Sequence, residues 1–439
     1  MIDPLICARA VVFAATMTAA GAVFFMIFVA EPACAGAKAG ASVLSTVRVQ
    51  SKWIVWTSLG LCIVSGFAWL ILTAAAMASR PAAEVFSGNI LWTVLSQTEF
   101  GNDWLARFVL AVLLAAAVAA SLRPSSARPA WLNPVSVILA AAFAGSLAWS
   151  GHAAGGIGLE AVAHPIADVL HLIAAAAWVG ALIPLALLLG GAARATASLP
   201  IARAAVLRFS TLGIASVATL LLTGIINSYY LAGSIAAVIA TDYGRLLLVK
   251  VALFFAMVAV AAVNRLRLTP RIVEDASPVA VLEAIGHLRR NAAVEAALGA
   301  IVIVIVAALG TLPPASHAQH HAAYGSVPAD AAFVHIHSRQ GMADVTISPG
   351  RAGTANATIH LADEDFGPLD AEAVTLTLTA PTTGSKPTTR IARRDIDGDW
   401  QVDGIALAVP GNWAVVVDAT LSPNKHLLLD APIVIDPAQ

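Results

Sequence analysis

Between Trp149 and Pro184 the chain reads WSGHAAGGIGLEAVAHPIADVLHLIAAAAWVGALIP, which sets His152, Glu160, His164, Asp168 and His171 beside a run apolar enough to belong in lipid. Imidazoles and carboxylates are costly in hydrocarbon, so where they gather at a helix mouth they mark a site or path for an ion, a proton or a cofactor. Asp168 and His171 are three residues apart and share a helix face that Ala175 and Trp178 continue. Pro165 suits the first helical position and puts His164 just ahead of the helix, within reach of Asp168. His152 ends the preceding apolar segment, and Gly155, Gly156 and Gly158 let the chain turn back and bring it to the same mouth. Three imidazoles backed by a carboxylate suit copper or zinc, with Asp168 either a ligand or the partner that orients a histidine. A single interfacial histidine more often packs or snorkels than binds; the grouping of three carries the metal reading.

The elements that must hold these residues are membrane helices. Of the 439 residues, 59% are hydrophobic and 12% charged, against about 25% charged in ordinary soluble domains. A formal net charge of -1, with no basic tract, gives no footing for nucleic acid. Cys7, Cys34 and Cys62 fall in or near the first two apolar segments without paired spacing, so neither a disulfide framework nor a thiolate zinc site is indicated. Apolar runs at 10–30, 53–78, 104–122, 133–151, 166–190, 206–232, 244–264 and 292–312 each approach the roughly 20 residues that span a bilayer. Ala33-Cys34-Ala35 has the form of a signal-peptide cleavage site. The charge pattern argues for keeping the first helix. With eight helices one set of connections carries Lys38, Arg48, Lys52, Arg123, Arg128, Arg194, Arg203, Arg208, Arg265, Arg267, Arg271, Arg289 and Arg290, and the opposite set only Arg9 and Arg80. The basic set is then cytoplasmic, which places both termini and the His152 to His171 region on the outer side.

An internal echo runs through the helices. Thr98-Glu99-Phe100-Gly101 precedes Arg107 by the spacing at which Thr241-Asp242-Tyr243-Gly244 precedes Lys250, and Ser65-Gly66 is matched by Thr223-Gly224. Two four-helix halves in one orientation, a parallel repeat, would produce it. Arg107 and Lys250 either line a path or snorkel to nearby acids such as Asp103. Glu295 enters the last helix just inside a basic connection, to pair with Arg289 or Arg290 or to form an inner exit for an ion.

Pro313 and Pro314 end the helical part. The chain divides into a membrane domain over 1–314, a linker over 315–330 holding His317, His320 and His321, and a β domain over 331–439. Alternating segments at Phe333 to Ser338, Asp344 to Ser348, Ala355 to Leu361, Val374 to Thr379, Gln401 to Val409, Trp413 to Ala419 and Leu427 to Ile435 predict a small immunoglobulin-like β-sandwich. The fold class is thus an all-α polytopic membrane bundle followed by an all-β sandwich. His335 and His337 alternate on one strand face and could chelate a metal together, or pack across strands. His320 and His321 suit transient capture. In DIDGDW, Asp395, Asp397 and Asp399 open like a calcium loop, but Ala406 stands where a Glu is needed, so the stretch reads as a turn.

No P-loop, GxSxG, HExxH or dinucleotide fingerprint occurs, so neither an enzyme nor a nucleotide-driven pump is expected. WSGHA at 149–153, DVLHLIAAAAWVGALIPL at 168–185, RFSTLGIAS at 208–216, TDYGRLLLVK at 241–250, NR at 264–265 and LRRNAAVEAALG at 288–299 together resemble the copper resistance protein D family of bacterial inner-membrane proteins. The resemblance is strongest over 149–314; the C-terminal part is similar to small periplasmic β domains of the FixH-like and YtkA-like kind. It implies copper moved from the periplasm towards the cytoplasm or delivered to cuproproteins, in company with a periplasmic copper-binding β protein. It also puts His152, Asp168, His171 and Trp178 on family motif positions, while His164 and Glu160 come from the residue pattern alone. Two other readings stand beside it: a membrane cytochrome with haem held by two histidines, and a non-transporting copper sensor or assembly factor.

Overall fold

The computed structural model describes residues 3–78, 82–86, 90–121, 129–150, 160–232, 235–273, 277–312, 328, 330–338, 341–363, 368–380, 387–422 and 425–438. Eight described helices are long and apolar enough to cross a membrane: α1 Pro4–Cys34, α2 Gly40–Ala75, α3 Phe100–Ala120, α4 Leu132–Trp149, α5 Val162–Ala192, α6 Leu199–Leu231, α7 Asp242–Ile272 and α8 Val279–Leu309. Several outrun their apolar cores because nothing in the flanking sequence stops them. In α8, Ser277 accepts from the Ala280 amide at 3.4 Å and Pro278 takes the first turn, so the helix starts well before the apolar run and includes Arg289 and Arg290.

The echoed TxxG stretches are helix starts of one design. Thr98 Oγ1 accepts from the Gly101 amide at 3.0 Å at the head of α3, and Thr241 Oγ1 from the Gly244 amide at 3.1 Å at the head of α7. Each follows a short helix, Ile90–Gln97 or Ile235–Ala240. The fold-back is tight: a Cβ on Gly101 would lie 2.1 Å from the Val94 carbonyl oxygen, and one on Gly244 would lie 2.1 Å from that of Val238.

Three spans contain a widened π-helical turn, Phe25–Ala30 in α1, Ala176–Gly180 in α5 and Asn264–Leu268 in α7. Pro32, Pro184 and Pro270 follow these turns by two to four residues. A proline inside a span withholds the amide that the carbonyl four residues back would accept, and the helix absorbs the defect by locally changing its pitch. Next to the turn in α5, backbones meet directly: a Cβ on Gly180 would fall 2.0 Å from the Met17 carbonyl oxygen, and one on Gly21 would fall 2.3 Å from the Gly180 carbonyl carbon. Small residues at a crossing let two membrane helices approach this closely.

The C-terminal part is two antiparallel sheets built from β1 Ala332–Ser338, β2 Gly341–Ser348, β3 Gly353–Ala362, β4 Ala373–Thr379, β5 Thr388–Ile391, β6 Arg393–Arg394, β7 Trp400–Leu407, β8 Gly411–Ser422 and β9 Lys425–Ile435. The sheet orders are β1-β2-β3-β7-β6 and β5-β4-β8-β9. Alternate residues such as Val345, Ile347, Ile359, Leu376, Val415 and Val417 fill one core between them. DIDGDW forms the expected turn, closed by the Gly398 amide on the Asp395 carbonyl at 3.1 Å, with Gly398 at φ 92°.

Candidate functional site

The helix of α5 begins at Glu160, so Pro165 lies inside it and His164 is a helical residue rather than the one ahead of the helix. The carbonyl of Ala161 does without the amide that a non-proline at 165 would supply. His164, Asp168 and His171, spaced four and three apart, therefore form one stripe on α5. A second stripe with the same spacing faces it from α6: Thr223, Asn227 and Tyr230. The pairing is antiparallel and regular. The His164 ring stacks on Tyr230 with centroids 5.2 Å apart and planes at 25°, Asn227 Nδ2 donates to Asp168 Oδ1 at 3.1 Å, and His171 Nδ1 meets Thr223 Oγ1 at 2.9 Å.

Hydrogen-bond bookkeeping fixes the imidazole of His171. Thr223 Oγ1 spends its proton on the Thr219 carbonyl at 2.7 Å, so it accepts from His171 Nδ1–H. In the neutral ring this leaves Nε2 with its lone pair, the form that binds a metal ion or takes up a proton. The carbonyl oxygen of Asn227 is buried with no hydrogen-bond donor among the described residues. Turning the amide over would set that oxygen against the Asp168 carboxylate, so the orientation holds. From α7, Lys250 acts electrostatically on both Asp168 and His171, and Tyr243, one heptad earlier on the same face, feels the Asp168 charge. The ladder thus offers an imidazole nitrogen, a carboxylate and an orphaned amide oxygen, with an ammonium group nearby.

His164, the end rung of the ladder, is 3% exposed and lies about 10 Å along the helix from His171, two turns away. The other candidates do not join it. His152, His320 and His321 lie outside the described residues, as does the side chain of Glu160. No group of three or more His, Cys, Asp and Glu converges on a point where it could hold a metal ion among the described residues. In the sandwich, His335 Nδ1 pairs with Asp344 at 2.5 Å and His360 Nδ1 with Asp399 at 2.6 Å, and strand register sets His335, Asp344 and His360 side by side across β1, β2 and β3. His337 stands opposite Met342 in the β1–β2 register, and its side chain lies outside the described residues. The α5 stripe stands out in the sequence, whereas its α6 partners do not. Thr223, Asn227 and Tyr230 stand at helical spacing within an apolar run, and that was the available signal.

Of the two courses open to Arg107, snorkelling is set aside by its burial. Arg107 is 7% exposed and does not snorkel: its Nη1 donates to Ser146 and its Nη2 to Thr16, each at 3.2 Å, with the Phe143 ring centroid 5.8 Å from its guanidinium carbon. Glu295 is 2% exposed and bonded to Trp178 and Asn264, not to Arg289 or Arg290.

Eight apolar spans with paired stripes of imidazole, carboxylate and amide between them define a multi-pass membrane protein with a polar intramembrane site. Residues 1–162 match the family profile described as copper resistance protein D-like, N-terminal domain, and residues 203–309 match copper resistance protein D. The chain is 34% identical over 223 residues to copper resistance protein D of Pseudomonas syringae pv. tomato, covering 50% of this chain and 71% of that protein. Over 274 residues it is 33% identical to inner membrane protein YebZ of Escherichia coli K12, covering 61% of this chain and 85% of the relative. A longer match, 26% over 420 residues, reaches copper transport protein CutJ of Bacillus subtilis and covers 93% of this chain and 70% of the other. The chain belongs to the copper resistance protein D family. No solved structure matches it.

Proposed function

We propose that this chain handles copper in the bacterial inner membrane, taking the ion from the periplasm and moving it inward or passing it to cuproproteins. Copper is cargo here, not a resident cofactor. The observation that carries the reading is the α5–α6 ladder: His171 with Nε2 available for a soft ion, Asp168 beside it, and the Asn227 oxygen buried without a donor among the described residues. Relatives named for copper resistance and for copper transport support copper as that ion. In this reading the basic connections are cytoplasmic, and both termini, the linker after residue 314 and the sandwich over 331–439 are periplasmic. His320 and His321 in the linker and His335 and His337 on the sandwich capture the ion, and His152, His164, Asp168 and His171 receive it at the membrane. The sandwich serves as a FixH-like or YtkA-like receiving module, with a periplasmic copper-binding β protein as donor. Lys250 acts as a tethered cation: it balances Asp168 while the site is empty and gives way when the cargo brings its own charge.

Copper flux into proteoliposomes holding the purified full-length protein tests this. His171→Ala and Asp168→Asn are each expected to lower flux by about tenfold or more, as loss of a metal ligand or its orienting partner does elsewhere. Wild-type flux in both variants would remove the ladder from the route. Absence of flux in the wild type, with copper still bound, would favour a sensor or assembly role.

A further inference from the structure

Glu295 is a second polar centre that the ladder does not use. On α8 it is 2% exposed, inside a span of mean hydropathy 2.6. Its Oε2 accepts from Trp178 Nε1 at 3.1 Å and its Oε1 from Asn264 Nδ2 at 2.7 Å, while Asn264 Oδ1 accepts in turn from Asn291 Nδ2 at 2.7 Å. Both donors sit in π-helical turns, Trp178 in that of α5 and Asn264 at the start of that of α7. Such turns redirect side chains and recur at functional sites. Glu295 and Asn264 also face a cavity of about 400 Å³ between α5, α6, α7 and α8, whose wall is otherwise almost wholly apolar.

The ionisable groups on that wall are Glu295 and Arg265. Arg265 Nη1 is spent on Ser210 Oγ at 2.5 Å, and no ion pair to Glu295 exists among the described residues. The portion of α6 lining the cavity brings only Ser210 as a polar side chain, α5 brings Trp178, and α1 brings nothing to this wall. Arg289, on α8 itself, lies against Gly190. Two neutral N–H donors orient a carboxyl group but do not cancel a full negative charge in hydrocarbon, so a group held this way does best with a cation of its own. The smallest one is a proton.

We propose that Glu295 is a proton-binding site, loaded and emptied through this cavity, about 10 Å further along α5 than His171. It goes beyond copper handling by giving the protein a second exchangeable cation.

Dicyclohexylcarbodiimide tests the proposal on the purified full-length protein in detergent without any metal. The reagent is apolar and condenses with a protonated carboxyl: the acid O–H adds across one C=N bond, the proton goes to nitrogen, and rearrangement leaves a stable N-acylurea that peptide mass spectrometry locates. Glu295 is expected to be modified on the order of tenfold more than the exposed Glu283 of the same helix, with labelling falling as the pH is raised. Trp178→Phe, which removes one donor to the charged form, is expected to carry labelling to more alkaline pH. Glu295→Gln should abolish the mark, and because the decisive readout comes from the wild type, a variant that fails to fold does not blunt the test. An unmodified Glu295, or labelling equal to that of Glu283 or indifferent to pH, overturns the proposal. Loss of copper flux would count against the metal reading and leave this one standing.

Discussion

At the head of α3, Thr98 caps Gly101 and Arg107 follows nine residues after the cap; at the head of α7, Thr241 caps Gly244 and Lys250 follows at the same interval. The turn chemistry of the two halves is the same to within a tenth of an ångström. What surrounds the two cations is not. Arg107 is bonded to the hydroxyls of Thr16 and Ser146 and lies over Phe143, whereas Lys250 works on a carboxylate and an imidazole. Arg107 also has the Cys62 thiol and the Asp103 carboxylate acting on it, so its charge is held by hydroxyls and acids together. Lys250 is set against a carboxylate and an imidazole, so the same kind of helix start leads to two different charge environments.

The largest test of that contrast exchanges each cation for methionine. Lys250→Met strands the Asp168 charge and is expected to cost about 3 kcal/mol in detergent unfolding, with Asp168→Asn in the same chain recovering much of it. Arg107→Met leaves two hydroxyls, one of which already donates to the Phe143 carbonyl at 2.8 Å, and is expected to cost about 1 kcal/mol. Equal losses would erase the distinction. The seam between the halves comes next: Gly180→Ala is expected to destabilise by about 2 kcal/mol because backbone must move. Gly60→Ala on α2, where a Cβ would meet nothing within 4 Å, should leave stability unchanged or raise it by about 1 kcal/mol. Smallest are the caps. Thr98→Ala and Thr241→Ala should each cost about 1 kcal/mol, and a clear inequality between them would show that the matched starts are not energetically equivalent.

Hydropathy gives up the eight described spans because about 20 consecutive apolar residues have few alternatives, and period-two alternation gives up seven of the nine described strands. The two it hides, Thr388–Ile391 and Arg393–Arg394, are short and largely exposed, so no buried face imposes a pattern on them. The α5 stripe is legible because histidine and aspartate stand out in an apolar run; the α6 stripe is quieter, being an amide and two hydroxyls. Pro32, Pro184 and Pro270 stand just after the π-helical turns, but a proline marks a disturbed helix without saying what form the disturbance takes. Nothing local announces that Trp178 and Glu295, 117 residues apart, share a hydrogen bond. That contact depends on how helices stack, and pattern reading stops at the single helix.

The meeting of Gly21 with Gly180 has a mechanical side. Where main chain rests on main chain there are no rotamers to flip and no side-chain layer to shear, so α1 and α5 behave as a single welded spar. A protein that must let something through cannot part there. Between α5 and α6, by contrast, the contacts are side chain on side chain, a hydroxyl, an amide and an aromatic ring, and these can turn where bare backbone cannot.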